Sequence, residues 1–144
     1  MTSTSNIQQA KNQIKSATPP IILQAQSSDF NRKLLEYGKF DILLDIHNTQ
    51  GKDKPKQLSS GLNHVLAKIA AKNKVAIGID LKPLREIKDK KQKALALARI
   101  KQNIKICRKA KCKLAVINAK DKKDSANFLL SLGASTKQTS NYKF

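Results

Sequence analysis

Four short apolar runs punctuate the chain: "IILQA" (21–25), "FDILLDI" (40–46), "VAIGID" (75–80) and "KLAVINA" (113–119). They carry β-branched residues and mostly lack strict apolar–polar alternation, as strands buried on both faces do. Between them the period shifts to that of a helix. "DFNRKLLEYG" (29–38) predicts a helix opened by Asp29 as cap and stopped at Gly38. "SGLNHVLAKIAAKN" (60–73) sets Leu62, Val65, Leu66, Ile69 and Ala70 on one face, behind Ser59 or Ser60 as cap. A third helix is expected from Asp89 to Lys111, and a fourth over "KKDSANFLLSLG" (122–133), ending at Gly133. A weaker helical pattern at 5–16 is closed off by Pro19 and Pro20.

The resulting order is βαβαβαβα. Such alternation with short links implies parallel strands joined by right-handed crossovers. A closed (β/α) barrel needs eight units and the pattern supplies four, so the expected fold is α/β, a parallel sheet that is either a small open one or part of a TIM-barrel-like ring. The division expected is a polar segment at 1–20, helical or disordered, one α/β domain at 21–135 and a tail at 136–144. The longest expected loop, "NTQGKDKPKQL" (48–58), follows the second strand. It would lie on the edge of the sheet where function gathers in parallel α/β folds.

Charge changes this picture. The 144 residues hold 29 Lys and Arg against 10 Asp and Glu, a formal net charge of +19. Residues 82–123 alone carry 16 basic and 3 acidic side chains, which puts +13 of the surplus in 42 positions. Clustering of this kind suggests a polyanion, nucleic acid before any other. Lysine outnumbers arginine 25 to 4, so part of the surplus fits a generally lysine-rich surface. No apolar run is long enough to span a bilayer, no apolar core marks a secretory leader near the start, and no membrane partner is expected. The expected compartment is the cytoplasm.

The cations are organised by the third helix. At 100° per residue Lys93, Ala96, Leu97, Ile100, Ile104 and Cys107 share one arc, the core stripe. Lys91, Lys101, Lys105, Arg108 and Lys109 lie along one flank with Ala98 and Gln102, and Leu95, Arg99 and Ile106 form a smaller stripe. A cationic flank suits a phosphate backbone, because displaced counterions supply the affinity without base readout. Aromatic residues make up only 4% of the chain and there is no Trp, so platforms for stacked single-stranded bases are not expected. The candidate RNA contacts are Lys82, Arg85, Arg99, Lys101, Lys105, Arg108 and Lys109, with Lys82 and Arg85 read as flanking Pro83 in a loop after the third strand.

Catalytic chemistry is thinly represented. Asp45, His47, Asp80 and Asn118 fall near strand ends, and a metal-dependent phosphoesterase using Asp45, His47 and Asp80 is the alternative reading. Against it, the chain has two histidines, five glycines, no G-x-S-x-G and no phosphate-cradling loop. Carboxylates that cap helices or bond loop amides explain Asp45 and Asp80 as well. Cys107 and Cys112 fit no metal or redox spacing and read as reduced small apolar residues. His64 reads as a packed or capping residue.

Three ordered blocks carry a family resemblance. "NRKLLEYGKFDILLDIH" (31–47), "GLNHVLAKIAAKNKVAIGIDLKPL" (61–84) and "RIKQNIKICRKAKCKLAVIN" (99–118) resemble successive segments of ribonuclease P protein component 3, and "FLLSLGAS" (128–135) fits its closing helix. The resemblance covers residues 21–135. It implies a TIM-barrel-like fold related to metal phosphoesterases but without a working metal site. The implied role is an RNA-binding subunit of ribonuclease P, which removes the 5′ leader from precursor tRNA. By the same resemblance the RNA subunit carries the catalytic Mg²⁺, and this chain binds no cofactor and holds no catalytic residue. The implied partners are ribonuclease P RNA, protein component 2 and, indirectly, precursor tRNA. Members of the family begin with further βα units, so a shortened member is expected to have open sheet edges and a chain that covers them. After Asn118 the family has Ser-x-Ala and an Arg-Pro element where this chain reads "NAKDKKDSA".

Overall fold

The computed structural model describes residues 7–48 and 61–140. Helix α1 (Ile7–Ser16) precedes β1 (Ile22–Gln24), α2 (Ser28–Tyr37) and β2 (Ile42–Leu44). A single 3₁₀ turn (Ile46–Asn48) follows β2. Then come α3 (His64–Lys72), β3 (Ala76–Asp80), α4 (Leu81–Glu86), α5 (Lys90–Ala110), β4 (Leu114–Ile117), α6 (Lys122–Ser131) and α7 (Thr136–Ser140). The strands form one parallel sheet in sequence order, β1-β2-β3-β4, as expected for βα units wound in one direction.

Among the described residues the helices pack on one face of this sheet. Leu23, Leu43, Ile77, Ile79, Leu114 and Val116 point outward into a core shared with Leu34 and Leu35 of α2, Leu66 and Ala70 of α3, Ile100 and Ile104 of α5 and Leu129 of α6. The opposite face is thin. Ile42, Ala76 and Ala115 form a separate small cluster, edged by Ile22 and Ile117. Gly78 lies on that face, where a Cβ would collide with the side chains of Ile42 and Leu44. Ala76, Gly78 and Ala115 leave this face less filled than the outer one, and Ile22 of β1 and Ile117 of β4, the two outermost strands, line one cleft. This is the partial TIM-barrel-like arrangement, one arc of strands inside a ring of helices.

Several local expectations shift. Ser27, not Asp29, caps α2, its hydroxyl accepting from the Phe30 amide at 3.2 Å. Asp29 falls inside the first turn. Asn63 caps α3, its Oδ1 accepting from Leu66 N–H at 2.9 Å. Ser59 and Ser60, the caps expected there, and nearly all of the expected 48–58 loop lie outside the described residues. Because α3 begins at His64, Leu62 is buried ahead of the helix, Val65 is 55% exposed, and Ala67 takes a core position. His64 is exposed in the first turn, so it is neither cap nor packed residue. Gly38 meets expectation: at φ 74° it turns its N–H back to Leu34 O and ends α2.

Within the segment expected as a polar arm, α1 places Ala10 and Ile14 in the main core beside α2. Residues of the expected tail form α7, which Gln138 fastens to α5 by donating from Nε2 to Ile104 O at 3.0 Å. No helix among the described residues is long and apolar enough to cross a membrane.

Candidate nucleic-acid interface

Strands point one way and the helices return, so each end of α5 lies at a different edge of the sheet. Its start is at the strands' C-terminal edge. There Asp45 and Asn118 both adopt left-handed backbone (φ 57° and 63°), which Asp and Asn tolerate better than other side chains. Asp45 Oδ1 accepts from Asp80 N–H at 3.0 Å. Asp80 Oδ1 in turn accepts from Asn118 Nδ2 at 2.7 Å and from Lys82 N–H at 3.0 Å. Three strand ends are thereby stitched together, and Asp80 caps α4.

That cap corrects one expectation. Lys82 and Arg85 stand on a helix, not in a loop, since Pro83 falls in its first turn where no backbone N–H is needed. Arg85 donates from Nη1 to Asn118 O at 3.1 Å and pairs with Asp124 of α6 at 3.7 Å. Lys82 is exposed beside it.

Burial sets the charge state of this edge. Burial, opposed by the Asp80 amide and aided by the Asp80 carboxylate, pushes Asp45 up to about 6. Burial and the nearby Arg99 cation hold His47 down at about 4. Asp45 and Asp80 are thus committed as braces, and the 3₁₀ turn carrying His47 packs on α5. Among the described residues no three His, Cys, Asp or Glu side chains come together in a metal-holding group.

The flank of α5 behaves as its periodicity requires. Asp89 caps the helix, accepting from Lys91 N–H at 2.8 Å, and Lys111 ends it in left-handed conformation (φ 60°). Ala96, Ile100, Ile104 and Cys107 are buried as expected. Asn103 joins them, while Lys93 and Leu97 are only half-buried. Ala98, Lys101, Gln102, Lys105 and Arg108 line a cleft of ≈ 420 Å³ whose other wall is Leu132 and Gly133, just after α6. A second cleft of ≈ 390 Å³ shares Arg108 and continues past the helix end to Lys111, Lys113, Ser135, Lys137 and Gln138. Among the described residues no Asp or Glu lines either one. The floor is largely carbon, from Ile104, Leu132, Cys107 and Cys112. The two cysteines are free and buried, and the Cys107 thiol is held well above its ordinary range by its hydrogen bond to Cys112 and by burial.

Of the seven residues read as RNA contacts, Lys101, Lys105 and Arg108 meet in this groove. Lys109 is exposed on the last turn of α5 but outside the lining, and Lys82 and Arg85 stand at the far edge. Arg99 is the misfit. It is half-buried on another side of the helix, where its charge acts on His47. Lys111, Lys113 and Lys137, outside the sequence-derived set, line the same groove, Lys137 because α7 folds back against α5.

Comparison with known proteins bears on this surface. No family model matches the chain. Over 95 residues, 66% of the chain, it is 40% identical to a protein of Methanosarcina mazei described as ribonuclease P protein component 3, covering 36% of that protein. The protein of the same description from Methanosarcina acetivorans is 42% identical over 89 residues, 62% of this chain and 34% of its own length. The chain therefore spans about a third of the curated relatives it matches. Among solved structures, a chain from the cryo-EM structure of archaeal ribonuclease P with mature tRNA superposes with a TM-score of 0.70 at 23% identity. That match covers 92% of this chain and 58% of the other, and it shows a shared fold.

Proposed function

Because the chain is homologous to ribonuclease P protein component 3 over about two-thirds of its length, we propose that it is an RNA-binding subunit of ribonuclease P. In this reading it supports removal of the 5′ leader from precursor tRNA by an RNA catalyst. The observation that carries the proposal is that homology together with a groove in which the cations Lys101, Lys105 and Arg108 gather and, among the described residues, no carboxylate joins the lining. Catalytic Mg²⁺ belongs to the partner RNA, and this chain supplies positive charge and shape. Lys82, Arg85 and Lys109 extend the interface, each engaging phosphate and not base edges. Arg99 contributes through His47 and the packing of the 3₁₀ turn, not through RNA. Protein component 2, and a further chain along the outer edges of β1 and β4, are the protein partners this reading calls for, because parallel strand edges left open invite pairing.

Two measurements test it. Affinity purification from the native cell, followed by sequencing of bound RNA and identification of co-purified proteins, should enrich one structured RNA together with precursor tRNAs that retain their 5′ leaders. Recovery of no RNA above a mock purification refutes the proposal. In vitro, replacing Lys101, Lys105, Arg108 and Lys109 by Gln should flatten the log–log salt dependence of RNA binding by about 0.7–0.9 for each phosphate no longer neutralised.

A further inference from the structure

The sequence-derived set leaves the far end of the groove unexplained. Arg108, Lys111, Lys113 and Lys137 ring one cleft, and they come from the end of α5, its cap, the approach to β4, and α7. Four like charges around a hollow repel one another, and hydrogen bonds fix two of the segments that carry them. Lys111 is fixed by its N–H to Cys107 O, in the turn that Cys112 N–H closes on the same carbonyl at 2.9 Å. Lys137 is carried on α7, which Gln138 bonds to Ile104 O. Gln138 and Ser135 also bond each other reciprocally, at 2.9 and 3.2 Å.

Lys82 and Arg85 sit beyond the opposite end of α5, whose 21 residues span roughly 30 Å. Lys101 and Lys105 fall between the two ends. Among the described residues no Phe, Tyr or Trp lines either cleft, so none of them offers single-stranded bases a ring to stack on. A duplex needs no such platform and holds phosphates about 30 Å apart without being stretched.

Resting on the RNA reading, we propose that the cleft bounded by Arg108, Lys111, Lys113 and Lys137 is the second anchor of an RNA duplex lying along α5, with Lys82 and Arg85 at the first. Neither patch alone is the interface. A duplex long enough to reach both gains from each.

The test uses the full chain, fluorescence anisotropy over a salt series, and labelled RNA duplexes of about 6 and about 16 base pairs. At about 3.4 Å of axis per base pair or less, the shorter covers roughly 20 Å and cannot bridge the patches. Lys113→Gln with Lys137→Gln should lower the salt slope on the long duplex by about 1.4–1.8 while changing short-duplex affinity by only about twofold, since the short one can occupy the other patch. Thermal melting by circular dichroism confirms that each variant is folded. An unchanged slope on the long duplex, while Lys82→Gln with Arg85→Gln still lowers it, removes this cleft from the interface and leaves the RNA reading standing. Equal losses on both lengths, or tighter binding of a single strand as long as the longer duplex, also overturn the two-anchor arrangement. If no RNA binds, the RNA reading falls and this inference with it; if RNA binds but neither pair of substitutions alters binding, the two-anchor arrangement falls and the groove of Lys101, Lys105 and Arg108 alone carries the RNA reading.

Discussion

Asp45 and His47 are two residues apart, and burial moves them in opposite directions. Asp45 goes from 3.8 to about 6, so between those values the folded chain binds a proton that the unfolded chain does not. Its contribution to stability is therefore present below about pH 4 and is lost as pH rises through 6. His47 goes from 6.5 to about 4, so here the unfolded chain binds the extra proton. Its contribution is present above pH 6.5 and is lost as pH falls through 4. At about 1.36 kcal/mol per pH unit each move is worth about 3 kcal/mol. The two effects nearly cancel between pH 4 and 6.5, and substitution should separate them. Asp45→Asn retains an oxygen for the Asp80 amide and removes the buried charge. This variant should gain up to about 3 kcal/mol over the parent at about pH 7.5, a gain that disappears by about pH 4. His47→Gln should show the reverse slope, becoming more stable relative to its own value at about pH 7.5 as acid is added. Urea unfolding at half-unit pH intervals, read by circular dichroism, measures both. Parallel curves for the parent and Asp45→Asn from about pH 4 to about 6.5 would refute the claim that burial governs this carboxyl.

Two stability predictions follow from the packing. Gly78→Ala drives a methyl into Ile42 and Leu44 on the thin face of the sheet, and should cost about 1–3 kcal/mol in chemical unfolding. A change below about 0.5 kcal/mol would mean that the inner face is loosely packed. Asn63→Ala removes the acceptor for Leu66 N–H, and should lower Tm by about 2–4 °C, whereas Asn63→Ser should retain most of the stability.

The strands and the long helix were legible because each signal is local. Apolar runs with little alternation, such as "FDILLDI" and "VAIGID", mark strands, and Ile42–Leu44 and Ala76–Asp80 lie inside those runs. The 100° spacing of Ala96, Ile100, Ile104 and Cys107 also settled which side of α5 carries Lys101, Lys105 and Arg108. Short-range competition was less legible. Ser27 and Asp29 both can cap α2, and geometry chose the earlier residue. Pro83 with Lys82 and Arg85 read as a loop because a helix of six residues has no periodicity to reveal.

What the sequence by itself determined is the alternation of elements, most of the core stripe of α5 and the surplus of cations on its flank. Each depends on residues within a few turns of one another. Only the tertiary structure decided which charges share a surface. Asp45 and Asn118 lie 35 and 38 positions from Asp80, and the three meet because three parallel strands end at the same edge. The Arg99 charge acts on His47 while Lys101, two residues on, lines the groove. Lys137 joins Arg108 through the bond from Gln138 to the α5 backbone. Periodicity orients a side chain about its own helix axis. The neighbour it finds there depends on strand register, on the curl of the sheet and on where the chain returns.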